Sequence, residues 1–430
     1  MWKRTPDANW NRSSITPLAS RQDWRPAGPD ERSWLGGWAA RRIGEGTGFF
    51  RVERVDGRWW LVDPQGFLFY SVGLTSVRPP TREPAKSAYA ERWKEPAAWA
   101  ADTVSMLREA GYNNIGRWSA LGSLNAVTRR MPYTTSFNFM QSFGKKLGLT
   151  SHGYGHARYA HNAIPVFHPD FEAHCDELAE KEIAPLAQDF HVLGHFTDNE
   201  LPVPKDALAA TLAIDPEATP ALRHNWEFAW QWLRERRGPE ATAADITEDD
   251  NLDYLGAVMD RYFAVTAAAL RRHAPHHLNF GPRLHGSGIH TDQVIAAAGR
   301  HLDVIAINYY NVWRPSDTHL ERWRTQAPDT PFLISEFYVK GQDSGMDNGP
   351  GAGWIVPTQR DRGLWYQNFT LALLEAPHCV GWQYFKYQDE PGDSNKGILD
   401  PAFAPHGDFT ALMAPIHENV YSLRSKLPGE

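Results

Sequence analysis

From Phe49 onward, apolar and polar positions fall into blocks whose period switches between two and about 3.6, as expected of strands alternating with helices. The first block predicts a hairpin: FFRVERV and RWWLV flank Asp56-Gly57, a dipeptide suited to a two-residue turn. A second turn, Asp63-Pro64-Gln65-Gly66, leads into FLFYSVGLTSV, an apolar run that predicts a buried strand. PAAWAADTVSMLREAG predicts a helix over 96–110, ended by Gly111. Further strands are predicted at 112–118, 132–140, 191–200, 276–286, 301–313, 331–340 and 379–390. Helices are predicted at 169–189, through much of 206–273, near 315–326 and at 359–376.

Eight strands separated by helical stretches predict a (β/α)8 TIM barrel of the α/β class. The competing fold, an open doubly wound sheet, carries a glycine-rich phosphate turn after its first strand; here that position reads TSVRPP. No internal repeat of about 20–50 residues points to a solenoid. The predicted organisation is an extended N-terminal arm over 1–48, rich in Trp, Arg, Pro and Gly, then the β-hairpin over 49–66, then the catalytic barrel over 67–430. The arm is a candidate for subunit contacts in a homo-oligomer.

The length of 430 residues suits a barrel with insertions, and a hydrophobic content of 42% supplies a large core. The formal charge of −7, with no long basic run, argues against nucleic acid and anionic membrane as partners. Cys175 and Cys379 are too few for a disulfide framework. No apolar run approaches the ~18–20 residues of a membrane-spanning helix. Met1–Trp10 has no apolar signal core. That predicts a cytoplasmic protein as written, or a periplasmic or secreted one if a leader has been removed. The 18 Trp, 15 Tyr and 20 Phe change the picture most. Flat rings suit the apolar faces of sugars, although many must serve the core.

In barrels of this kind the chemistry sits at the C-terminal ends of strands. Glu200 ends the fourth predicted strand in Thr197-Asp198-Asn199-Glu200, and Glu336 ends the seventh in Leu333-Ile334-Ser335-Glu336-Phe337. Alternation places Phe332, Ile334 and Glu336 on one strand face, so an apolar pair facing the interior sends Glu336 into the barrel mouth. Strands four and seven are expected across the barrel from one another. Glycosidic cleavage needs two such carboxyls, one to protonate the leaving oxygen and one to attack the anomeric carbon or activate water.

Several pieces together resemble the GH50-type β-agarases, within the glycosidase clan whose catalytic glutamates end strands four and seven. They are Trp59-Trp60-Leu61-Val62-Asp63-Pro64-Gln65-Gly66, Phe196-Thr197-Asp198-Asn199-Glu200, His277-Leu278-Asn279-Phe280-Gly281-Pro282-Arg283 and Gly381-Trp382-Gln383-Tyr384-Phe385-Lys386-Tyr387-Gln388-Asp389-Glu390-Pro391. They run in order from about residue 50 to 395. The resemblance implies retaining hydrolysis of a β-linked galactose-type saccharide, agarase-like or β-galactosidase-like, with no metal or cofactor. It makes Glu200 the acid/base and Glu336 the nucleophile. Asn199 would bond the sugar 2-hydroxyl, and Arg117 would orient Glu336 and hold its pKa down. Tyr309 would be a further donor near the nucleophile. Its neighbour Asn308 has opposite parity, so one of the two should face the cleft. Trp382 would form the floor under the sugar. The family's agarases carry a sizeable domain before the barrel where this chain has a short arm, which leaves a shorter oligosaccharide or another β-linked galactoside open as substrate.

Weaker signals surround these. His152, His156 and His161 have spacings that suit a metal on a helix, but Gly153 and Gly155 predict a substrate-lining loop. Arg283 and His285 end strand five and are candidates for sugar hydroxyls. The glycine-rich loop 341–357 directly follows Glu336 and is expected to act as a lid carrying Trp354. Lys386, Gln388 and Asp389 follow strand eight and would read hydroxyls or cap the rim. The alternatives are an exo-acting hydrolase of another β-glycan, a metal-dependent hydrolase and a non-catalytic sugar-binding barrel.

Overall fold

The structure, a computed structural model, describes residues 1–21, 28–152 and 157–427. The predicted hairpin forms from Arg51–Val55 and Arg58–Val62, with Val55 opposite Arg58. Asp56 (φ 51°) and Gly57 (φ 78°) both take the left-handed conformation that such a turn demands. Leu68–Phe69 adds a third antiparallel strand against Leu61 and Val62. The run FLFYSVGLTSV is therefore divided, its first part completing the hairpin sheet and its second entering the barrel. The Asp63 carboxylate fixes the turn between them by accepting from the Gln65 and Phe67 amides and the Ser33 hydroxyl.

Eight strands make the main sheet: β1 Ser71–Leu74, β2 Asn114–Ile115, β3 Tyr133–Ser136, β4 Val192–Phe196, β5 Asn279–Gly281, β6 Ile305–Asn308, β7 Phe332–Glu336 and β8 Cys379–Tyr384. They hydrogen-bond in the order β5-β4-β3-β2-β1-β8-β7-β6. A parallel bridge between Leu284, just beyond β5, and Ile307 of β6 joins the two ends of that order. This is the (β/α)8 TIM barrel expected from the sequence. Each observed strand is shorter than its apolar run, and most of the surplus residues lie in the turns at the strand ends. Only the four-residue helix Leu121–Leu124 separates β2 from β3, where a full helix would be the rule. Among the described residues no helix is long and apolar enough to cross a membrane. Both cysteines are free and buried.

The chain divides into two compact units. The first comprises Met1–Thr134, Tyr309–Ser316 and Leu333–Glu430. Its interior carries a polar layer that glycines make possible. A Cβ on Gly73 would lie 2.4 Å from Asn114 Oδ1, and one on Gly116 would lie 2.6 Å from Gln383 Oε1. The space they leave admits Gln383, whose amide donates to Asn114 and to the Thr134 hydroxyl. Helix Gln359–Glu375, started by a Thr358/Asp361 capping box, is buried along most of its length. The arm finds its partners within this unit. Lys3 pairs with Ile355, the Thr16 and Leu18 amides donate to Asn368 and Gln367, and Asp30 accepts from the Tyr421 and Ser422 amides. An extended segment without its own ladder must satisfy its backbone in this way.

The second unit comprises Thr135–Asn308 and Asp317–Phe332. Its longest helix, Glu248–His273, begins with a Thr247/Asp250 capping box and buries Tyr254, Met259, Tyr262 and Phe263. The Asp198 carboxylate, two residues past the end of β4, accepts from the Met140 and Gln141 amides (2.9 and 3.1 Å) and from the Tyr262 hydroxyl (2.8 Å). It thus neutralises the orphan amides at the start of helix Phe139–Lys146 and anchors the segment that carries Glu200.

Candidate active site

Backbone strain marks the strand ends. Ten non-glycine residues among those described have clearly positive φ. Five of them follow barrel strands at the C-terminal end: Ser76, Trp118, Glu200, Arg283 and Asn311, with φ between 50° and 67°. A side chain in this region costs on the order of 1 kcal/mol or more, and such strain gathers where function requires it.

In the second unit, the Glu200 amide donates to Pro282 O at 3.0 Å, which pins its turn to the end of β5. Glu200 Oε1 accepts from the Asn308 amide at 2.7 Å. Asn308 is the last residue of β6 and is fully buried. His285 Nδ1 lies 3.1 Å from the Asn308 carbonyl oxygen. Asn199 Oδ1 accepts from the buried Arg283 guanidinium at 2.9 Å, so the amide that precedes the carboxylate is held as well. The predicted residues Asn199, Glu200, Arg283, His285 and Asn308 therefore form one connected set.

In the first unit, Glu336 ends β7 and is 7% exposed. Its Oε1 accepts from the Trp118 indole N–H at 3.3 Å, and its Oε2 from the Tyr310 hydroxyl at 2.5 Å. The Arg117 guanidinium lies 4.1 Å from the centre of the Trp118 ring. Near Glu336, Asp393 bridges two buried ammonium groups, Lys386 at 2.8 Å and Lys396 at 2.6 Å. Burial pushes the Asp393 carboxyl up, but the two lysines outweigh it and hold the group below the usual carboxylate range.

Four expected roles require correction. Tyr309 is not the donor to Glu336. Its hydroxyl accepts from the Ser316 amide, and its ring packs on Phe369. The donor is Tyr310, which shares the parity of Asn308. Trp382 is not a sugar floor. It is 0% exposed, and its indole N–H donates to the Tyr366 hydroxyl, because alternation in β8 turns Gln383 inward and Trp382 towards the helices. Asp389 is not a hydroxyl reader. It is also 0% exposed, and it accepts from the Lys396 and Gly397 amides, the Asn395 amide group and His406.

Trp354, the fourth, is no free aromatic on a lid. It is 8% exposed and stacks on Trp2 with centroids 3.8 Å apart. Loop 341–357 itself is tied down. The Lys340 ammonium donates to the Asn348 and Gly351 carbonyls, and the Lys340 amide to Trp354 O. Burial lowers the Lys340 pKa to about 8.

Lys386 lies beside Asp393, as described, and Gln388 donates to the Asp400 carbonyl. His161 approaches the Thr219 hydroxyl at 3.4 Å, whereas His156, Gly153 and Gly155 lie outside the described residues. Reasoning from sequence missed Tyr310 and Trp118. The i, i+2 relation to Asn308 was sufficient to find Tyr310. Trp118 follows a two-residue strand, where alternation has no reach, and nothing in the pattern singled it out.

No family model matches the chain. The chain is similar to β-agarase B of Vibrio sp. (strain JT0107), with 24% identity over 490 aligned positions, covering 92% of this chain and 50% of the relative. It spans about half the length of the curated relatives it matches. The crystal structure of BpGH50 agrees with a TM-score of 0.89 at 28% identity, covering 99% of this chain and 95% of that one. The crystal structure of an agarase, AgWH50C, agrees with a TM-score of 0.74 at 22% identity, covering 92% and 67%. The likeness to GH50-type β-agarases thus extends along nearly the whole chain, and the barrel is the fold they share.

Proposed function

We propose that the chain is a glycoside hydrolase that cleaves β-linked galactose-type oligo- or polysaccharide by double displacement. The observation that carries this reading is Glu336, a carboxylate at a strand end, buried to 7% exposure and held on both oxygens by uncharged donors. Such a group is oriented for attack and needs no metal to form a bond to carbon.

In the first step a Glu336 oxygen attacks the anomeric carbon. The bond from that carbon to the leaving oxygen breaks, and Glu200 gives that oxygen its proton. In the second step Glu200, now a carboxylate, takes a proton from water, and the hydroxide displaces Glu336 from the sugar. Asn308 orients Glu200 through the 2.7 Å bond, and Arg283 holds Asn199 where a sugar 2-hydroxyl would be read. The retaining course requires carboxyls about 5–5.5 Å apart, against about 6.5–9.5 Å for inversion.

The test is incubation of wild type, Glu200→Ala and Glu336→Ala with agarose, agarose-derived oligosaccharides and simple aryl β-galactosides, followed by product analysis. Hydrolysis by wild type and its loss in both variants, with unchanged thermal unfolding, is the expected result. Full turnover by either variant would remove the assignment. Inactivation of wild type by a chelator would favour the metal-dependent alternative.

A further inference from the structure

Trp118 combines features that a packing residue has no reason to share. It is a large aromatic side chain left 41% exposed. Its backbone sits at φ 67°, a conformation that β-carbon-bearing residues avoid and bulky ones avoid most. One ring face is covered by the Arg117 guanidinium at 4.1 Å, and the ring edge donates to Glu336 Oε1 at 3.3 Å. Among the described residues no other ring, cation or hydrogen-bond partner touches it. With 41% of the residue exposed, aromatic surface is left open beside a carboxylate.

We infer that Trp118 is the stacking platform for a galacto-configured pyranose ring at the reacting position, and that its indole N–H also positions Glu336. The chemistry of the sugar supports the match. An axial hydroxyl at carbon four directs polarity to one face of the ring and leaves the hydrogens of carbons three, four and five as an apolar patch on the other. A flat indole beneath that patch excludes water from it. The stacked guanidinium on the far side restricts tilting of the indole and adds positive charge behind it. The same indole then sets the height of the sugar relative to the carboxylate oxygen that it holds. The strained backbone is the cost of aiming the ring along that line. The inference rests on the hydrolase reading above.

The test uses the full chain with Trp118→Phe, Trp118→Gly and, alongside, Glu336→Gln. Phenylalanine keeps a ring and loses the N–H. Trp118→Phe is expected to hold KM within about threefold while kcat falls roughly tenfold, since a donor that positions the carboxylate is gone. Glycine loses ring and N–H but relieves the left-handed strain. Trp118→Gly is expected to raise KM tenfold or more, with Tm kept within about 2 °C of wild type.

Calorimetric titration of an agarose-derived hexasaccharide into Glu336→Gln, with and without Trp118→Gly, reads the stacking apart from turnover; a tenfold weaker Kd in the double variant is expected. Unchanged KM and Kd in the glycine variants, or a large fall in Tm with both, would overturn the inference. An unchanged kcat in Trp118→Phe would overturn its positioning part. If wild type turns over no galactoside, the hydrolase reading falls; if Glu336→Gln keeps its turnover, the role of Glu336 falls and the positioning part with it. If Glu336→Gln is inactive and Trp118→Gly matches wild type, only the platform falls. If the hexasaccharide does not bind Glu336→Gln at all, the platform falls, whereas the hydrolase reading stands or falls on wild-type turnover.

Discussion

Replacing Tyr310 with phenylalanine removes one donor from Glu336. The phenol donates to Oε2 at 2.5 Å, and its ring meets Tyr338 edge-on at 5.2 Å, a contact that a phenyl ring retains. Because Glu336 is 7% exposed, water replaces the lost donor poorly. A hydrogen bond to a charged group is worth about 1.5–3 kcal/mol. At about 1.4 kcal/mol per factor of ten, losing that bond where it is needed in the transition state corresponds to a roughly ten- to hundredfold lower kcat/KM. The Trp118 N–H still holds the other oxygen, so the lower end of that range is the expectation. The assay is kcat/KM at neutral pH on one galacto-oligosaccharide for wild type, Tyr310→Phe and Tyr309→Phe. Tyr309→Phe should lower stability, by leaving the Ser316 amide without its acceptor, and leave kcat/KM near the wild-type value. An unchanged kcat/KM in Tyr310→Phe, or a fall in Tyr309→Phe instead, would refute the assignment of the donor.

Further expectations follow from the same structure. Asp389→Ala strips one acceptor from four donors at once and should cost about 3–5 kcal/mol, read as a lower urea midpoint. A midpoint within error of wild type would show that the loop does not depend on it. Trp2→Ala uncovers the stacked face of Trp354 and should lower stability by about 1–2 kcal/mol while opening loop 341–357 to limited proteolysis; unchanged cleavage there would reject the arm as its strap. Burial lowers the His417 pKa to about 4, although the Ala110 carbonyl works against it, and burial does the same to His277. An unfolded imidazole titrates near 6.5, so the unfolded chain binds the extra proton between these values. The stabilisation from each neutral histidine is therefore complete above about pH 6.5, declines as pH falls and is gone near pH 4, at up to about 1.4 kcal/mol per pH unit. Urea midpoints should fall from pH 7 to pH 5 and do so less steeply in His417→Gln; a flat wild-type profile would contradict this.

Much of the scaffold was legible in the sequence because long-range order here follows from local period. The eight strands and several intervening helices were visible as blocks, and the hairpin as an Asp-Gly turn between two apolar runs, whereas helices Phe139–Lys146 and Asp292–His301 were not read. The placement of Glu200 and Glu336 at the C-terminal side of strands was legible because both close such blocks with a charge. Side chains beyond the strand ends were harder. Alternation holds only while the backbone stays extended, and at Trp118 the left-handed turn re-aims the ring. Trp382 and Asp389 were read as functional because aromatic and acidic residues at a rim suit sugars. Their fates depend on Tyr366 and His406, partners that pattern cannot supply. Loop 341–357 looked mobile from its glycines. Its order comes from the buried Lys340 ammonium and from Trp2, which is more than 330 residues away in the chain.

The central claim, that Glu336 bonds to the anomeric carbon, is tested most directly by the stereochemistry of an azide reaction. Glu336→Gly incubated with an activated aryl β-galactoside and azide should regain turnover and release the α-galactosyl azide, while wild type in water first releases the β-anomer, both read by proton NMR. First release of the α-anomer by wild type, or α-galactosyl azide from Glu200→Gly and not from Glu336→Gly, would contradict it.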